Sequence, residues 1–169
     1  MLTGKELQNT WLLSVTDGKK LGEIKDLYLD TGATQVAAVF LGREGMINRK
    51  SLVIERAAIQ LFGLDAWLVN GSDKVAQMDD KSGLKELLFM DDLRGREIET
   101  DGGTKIGTLG DVIVDEQARV LGFTLGKNHI KGALAEKKGI VRAAFTDLGD
   151  KERPAILDLP KAEAANLEE

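Results

Sequence analysis

The sequence predicts an all-β protein built as two tandem small β-barrels joined by a short linker helix. Three observations predict it. The chain of 169 residues holds 19 glycines and only 2 prolines, so turns fall to Gly, Asp and Asn, which favours many tight reversals and hence strands. A long motif occurs twice: residues 18–30 and 103–115 both read G-x-K-h-G-x-h-x-D-h-h-h-D, with h apolar, ungapped at an offset of 85. The apolar runs are short, the longest being the six residues 36–41, far below the ~20 needed to span a bilayer.

The repeat extends beyond that motif. Residues 36–42 match 120–126, each ending Leu-Gly, and Arg56-Ala57-Ala58-Ile59 matches Arg142-Ala143-Ala144-Phe145, with Gly63 and Gly149 following at the same spacing. Backwards, residues 2–7 align with 93–98 if the first copy carries six extra residues before its turn. The domain expectation is therefore a first barrel over 1–80, a linker helix over 81–92, a second barrel over 93–159, and a C-terminal helix or tail over 160–169.

Each unit reads as a meander. A first short strand, at 6–7 and 11–15 in one copy and 96–100 in the other, leads into the turn Thr16-Asp17-Gly18-Lys19 or Asp101-Gly102-Gly103-Thr104. Asp-Gly and Gly-Gly supply the positive φ that a two-residue hairpin requires. The next strand covers 21–29 or 106–114, and a second turn leads to a third strand at 36–41 or 120–125. Apolar stretches at 52–54 and 67–69, and at 139–141 and 155–157, add two strands per unit, with the Arg-Ala-Ala block between them as one helical turn. Closure into a five- or six-stranded barrel removes the edges that a free meander exposes. Between the units, Leu84, Leu87 and Leu88 stand at i, i+3 and i+4 behind Ser82 as N-cap, which predicts the linker helix. Pro160, followed by Ala and Glu, starts the terminal helix.

Composition excludes several chemistries. The chain has no cysteine, so disulfides, thiolate metal sites and cysteine nucleophiles are impossible. His129 is the one histidine, which removes two-histidine metal sites, and no serine stands in a G-x-S-x-G turn. Asp26 and Asp30, and likewise Asp111 and Asp115, form spaced carboxylate pairs. Four residues along a strand set the two members about 13 Å apart, too far to share an ion. Asp30 and Asp115 are instead expected to accept backbone N–H bonds at turns. Asp26 and Asp111 lie where the apolar phase shifts, which suggests a bulge. Gly22 and Gly107 fit neither dinucleotide nor P-loop patterns and are expected to permit strand bending and close packing. No catalytic, cofactor-binding or metal-ligating residue is assigned, and no cofactor is expected.

Net charge is −5 and the pI near 5.1, the wrong sign for a surface that binds phosphate backbones throughout. One local excess stands out. Lys127, Lys131, Lys137, Lys138 and Arg142 face the single acid Glu136, beside His129, and the equivalent loop of the first copy holds Arg43, Arg49 and Lys50. These eight residues are the candidate partner-binding set. Trp11 and Trp67 lie in apolar stretches and are expected in the core. The N-terminus has no signal-peptide core, so a cytoplasmic location is expected.

The doubled motif, followed in both halves by a turn and a V-x-x-h-x-L-G strand, resembles the PRC-barrel family, over nearly all of residues 2–70 and 93–158. That family is named for the cytoplasmic domain of the photosynthetic reaction-centre H subunit and includes the C-terminal domain of a ribosome maturation factor. The resemblance implies PRC-barrel-like units that bind macromolecules and perform no catalysis. The chain lacks the membrane-spanning helix of the former and the separate N-terminal domain of the latter. The expected function is a non-enzymatic adaptor or assembly module with a protein partner. An RNA-linked ribosome-assembly role is one alternative, and regulation of photosynthetic electron transfer at a membrane surface is another. Self-association is compatible with such modules.

Overall fold

The computed structural model describes residues 1–78 and 83–167. The first half contains β1 (Leu2–Thr3), α1 (Gly4–Leu7), β2 (Trp11–Ser14), β3 (Lys20–Glu23), β4 (Asp26–Leu29), β5 (Val36–Glu44), β6 (Lys50–Glu55), β7 (Ile59–Phe62), β8 (Ala66–Val69) and β9 (Ala76–Gln77). The second contains β10 (Leu88–Phe89), α2 (Met90–Leu93), β11 (Glu97–Thr100), β12 (Lys105–Val114), β13 (Val120–Asn128), β14 (Ile140–Val141), β15 (Phe145–Asp147), β16 (Ala155–Leu157) and α3 (Leu159–Ala164). The all-β expectation holds, with helices confined to short caps and turns.

The strands form three open sheets in the orders β14-β13-β12-β11-β16-β15, β10-β4-β5-β6-β9 and β3-β2-β8-β7, with β1 attached to β12. No sheet closes on itself among the described residues, so the expected closed barrels are not found. The 3-10 turns Arg56–Ala58 and Arg142–Ala144 separate β6 from β7 and β14 from β15, and a tight helical turn cannot carry the ladder across. The first half also splits its second hairpin strand. Ile24 donates to Thr10, just before β2, and Lys25 donates to Phe40 in β5, so β3 and β4 part where β12 runs on through irregular register at Leu109–Val112. The bulge expected at Asp111 is that irregularity; at Asp26 the strand breaks instead.

The two halves make the same contacts at a shift of 85 or 86 positions. Asn9 donates to Ile24 and Gly95 to Leu109, Ile24 to Thr10 and Leu109 to Arg96, Ala33 to Asp30 and Ala118 to Asp115. Asn9 and Gly95 both take positive φ, as do Ala33 and Ala118. The opening strands are exchanged: β1 pairs with β12 of the second half, Leu2 opposite Val114, and β10 pairs with β4 of the first, Leu88 opposite Leu29. This corrects the expected alignment of residues 2–7 with 93–98. Their counterpart is 88–93, since α1 corresponds to α2 and precedes the same positive-φ residue. It also replaces the strand expected at Glu6-Leu7 with helix, because Thr3 and Glu6 form a reciprocal capping box.

The expected linker helix is likewise altered in its described part. Leu84–Glu86 make one 3-10 turn, and Leu88–Phe89 then become a strand. β4 offers an open backbone edge there, and Phe89 stacks on Tyr28 at 4.6 Å between ring centroids; pairing satisfies groups that a free edge would leave to water. Ser82, the expected N-cap, and the expected boundary at 80/81 lie outside the described residues. The terminal helix is present as α3, capped by Asp158 with Pro160 in its first turn.

One apolar cluster runs through both halves, from Leu12, Ile24, Val39 and Trp67 to Ile98, Leu109, Phe123 and Ile140. The halves therefore share a core, and their joint surface is interior.

Candidate interaction surfaces

The seam between the halves is where the carboxylates converge. Asp26 is 8% exposed and accepts two hydrogen bonds from Arg94, at 2.7 and 2.9 Å, while the same guanidinium reaches Asp111 at 3.2 Å. Asp111 also accepts from the Lys5 amide at 2.7 Å. The bond to Asp26 raises the Arg94 pKa above its ordinary value against the cost of burial. Sequence spacing paired Asp26 with Asp30; the fold pairs it with Asp111 around a cation. Asp30 and Asp115 behave as expected, Asp30 accepting from the Thr34 and Gln35 amides and Asp115 from those of Gln117 and Arg119. Among the described residues no group of three or more His, Asp or Glu side chains could hold a metal.

Two arginines cross the seam reciprocally. Arg56 donates to Gln117, Ala118 and Val36 carbonyls, and Arg142 donates twice to the Gly32 carbonyl, at 3.0 and 2.8 Å, and once to Phe145. Burial lowers the pKa of both.

The eight candidate cations separate accordingly. Arg142 is spent on the seam, and Lys137 donates to Ala165 and Asn166 next to α3. Lys127, Lys131 and Lys138 are exposed around the β13–β14 connection, and Arg43 and Arg49 are exposed with Lys50 half-buried on the β5–β6 hairpin. The two groups do not meet. β5 and β13 begin on either side of the antiparallel bridge between Gln35 and Arg119 and leave it in opposite directions. His129 is exposed, as expected of a loop histidine.

A surface that the sequence did not announce lies on the sheet β3-β2-β8-β7. Trp67 is in the core as expected, but Trp11 is 49% exposed. Along β2 the side chains alternate, Leu12 and Ser14 inward and Trp11 and Leu13 outward. Leu13 stands beside Leu68 and Leu68 beside Leu61, which is 54% exposed. Lys20 lies over the Trp11 ring at 4.1 Å. The second half has the same registers, with Glu99 beside Ile156 and Ile156 beside Asp147. Glu97, Glu99 and Asp147 thus occupy the positions of Trp11, Leu13 and Leu61. The signal in the sequence was this apolar-for-acid exchange between copies.

Residues 85–151 match the family model of the PRC-barrel domain. These residues are similar to a PRC-barrel domain. No curated protein matches it. The PRC-barrel match covers α2, the β11–β15 strands and the Arg142 turn, the part whose contacts recur in the first half. PRC-barrel domains are generally binding and assembly modules rather than catalysts, and no helix among the described residues is long and apolar enough to cross a membrane.

Proposed function

We propose that the whole chain is a tandem PRC-barrel module, two interlocked copies on one core, acting as a non-enzymatic adaptor for a protein partner. The recurrence of contacts at a shift of 85 or 86 supports the tandem reading. The observation that carries the adaptor reading is the outer face of Trp11, Leu13, Leu61 and Leu68. A fold that tolerates Glu97, Glu99 and Asp147 in place of Trp11, Leu13 and Leu61, around the still apolar Leu68 and Ile156, has no packing need for the first three to be apolar, so that choice serves contact from outside. The partner that fits is a protein segment with apolar side chains for this face; Lys20 and Lys25 at its margin are already paired with Glu23.

The test is capture from cell lysate with the tagged full chain, with and without ribonuclease, compared with the variant Trp11→Ser/Leu61→Ser. A partner retained after nuclease and lost from the variant supports the reading. A partner set unchanged in the variant overturns this face as the contact. The exposed Lys127, Lys131 and Lys138 favour a second reading, RNA binding in ribosome assembly, in which capture vanishes with nuclease and weakens steeply with salt.

A further inference from the structure

The β5–β6 hairpin extends beyond its sheet. Among the described residues β4 stops pairing with β5 at Phe40 and β9 stops pairing with β6 at Leu52, so residues 43–51 form a two-stranded ribbon with the rungs Arg43 to Ser51 and Glu44 to Lys50. Its tip is closed between Gly45, at φ 107, and Asn48. Residues at the centre of such a turn are ordinarily polar or glycine. Here they are Met46 and Ile47, 100% and 93% exposed. Behind them stand Arg43, Arg49 and Lys50 against one acid, Glu44.

We infer that this hairpin is a membrane-surface anchor, which inserts Met46 and Ile47 among the headgroups of an anionic bilayer while Arg43, Arg49 and Lys50 bind the lipid phosphates. The corresponding connection in the second half supplies an internal contrast. It turns back on the protein, buries Leu134 to 1% exposure, and ties Lys137 to the C-terminal segment. The first-half loop has the same place in the fold, but among the described residues no protein neighbour covers Met46 and Ile47. Shape and charge favour a bilayer over a protein receptor. The apolar element is a convex tip of two side chains with a cationic collar two or three residues behind it, which is the depth order of acyl chain and headgroup phosphate. The chain totals −5 with these three cations included, so an anionic surface attracts the collar and, apart from the exposed lysines of the β13–β14 connection, repels most of the rest. A single hairpin of this size gives reversible, salt-sensitive attachment.

Flotation of the full chain with vesicles of three parts phosphatidylcholine to one part phosphatidylglycerol tests the anchor, with pure phosphatidylcholine vesicles and high salt as the other arms. Binding is expected only to the mixed vesicles at low salt. Met46→Ser/Ile47→Ser is expected to weaken it by roughly tenfold or more, as loss of two inserted apolar side chains requires, and Arg43→Gln/Arg49→Gln/Lys50→Gln to abolish it. Because the chain has no cysteine, Asn48→Cys accepts a single environment-sensitive dye, whose emission should shift to the blue only with mixed vesicles. Failure of the wild type to float, equal flotation of the tip variant, or an unshifted dye overturns the anchor. So does a tip that crosslinks to a captured protein while vesicles remain unbound.

Discussion

Arg94 and Asp26 form a bidentate ion pair, at 2.7 and 2.9 Å, between the C-cap residue of α2 and the residue that begins β4. The two positions are 68 apart in the chain and belong to opposite halves. In the first half the position of Arg94 is held by Gln8, which donates to the Lys25 carbonyl instead. The seam is therefore not symmetric: one guanidinium serves both Asp26 and Asp111.

Removing that cation leaves two poorly exposed carboxylates facing each other. Arg94→Leu is expected to destabilise the fold by about 3 kcal/mol, the low end of the range for breaking a buried pair because Arg94 keeps some solvent contact. Arg94→Lys should recover only part, since an ammonium cannot make the parallel two-bond contact. Denaturant midpoints at constant m-value decide it; an Arg94→Leu midpoint equal to wild type would show that the pair contributes nothing net.

Arg56 and Arg142 predict a coupling. Each holds the turn of the opposite half, Gln117 or Gly32, and those turns are joined by the Gln35–Arg119 bridge. Truncation of either to Ala should cost about 1–3 kcal/mol by stranding carbonyls at the seam. The double variant should fall short of the sum, because the first loss already loosens the shared bridge. Strict additivity in the double-mutant cycle would mean that the two turns move independently.

Much of this was legible in the sequence, for identifiable reasons. The Asp30 and Asp115 caps and the Arg-Ala-Ala turns follow from local chemistry and appear where the motif puts them; Gly18 and Gly103 take positive φ in the opening turns, but the loops there, 15–18 and 101–103, are longer than the two-residue hairpins expected. Failures came where tertiary pairing competes with local pattern. Leu84, Leu87 and Leu88 have helical spacing, yet the open edge of β4 takes Leu88 and Phe89 as a strand. The capping box of Thr3 and Glu6 is a local signal that makes residues 4–7 helical in place of the expected strand. Arg94 carries no motif, since its two acceptors lie 17 and 68 positions away. For the surfaces, a count of cations marked Arg142 and Lys137 along with the truly exposed lysines, and an apolar neighbourhood hid Trp11. Only burial separates them.

Acid should act on the seam turn through Asp115. Burial alone would raise its pKa from 3.8, but the amides of Arg119 and Gln117 and the Arg119 guanidinium outweigh it and hold the carboxyl lower. A depressed pKa in the folded chain stabilises fully above the unfolded value and loses that contribution as pH falls through the folded one. Asp115→Asn should therefore lower the Tm at neutral pH, and its deficit should shrink below about pH 4 as the wild-type carboxylate protonates. A deficit constant from neutral to acid pH would show that the charge of Asp115 plays no part.

Gly107 and Gly22 occupy matching places and take nearly the same backbone conformation, φ +158 and +155. A methyl group at Gly107 would stand 2.1 Å from the Lys127 carbonyl oxygen, whereas at Gly22 its nearest neighbours are Leu41 side-chain carbons at 3.7 Å and beyond. The difference arises because β12 continues past Gly107 alongside β13, with Gly107 opposite Asn128, while β3 leaves the β5 sheet. The backbone cost of replacing glycine is common to both sites, so comparing the two alanine variants isolates the collision. Gly107→Ala is expected to be less stable than Gly22→Ala by about 1–3 kcal/mol, the range for forced overpacking against atoms that cannot step aside. Equal denaturant midpoints would mean that β12 and β13 separate at this end at little cost, and that the close approach of their backbones is not what requires glycine there.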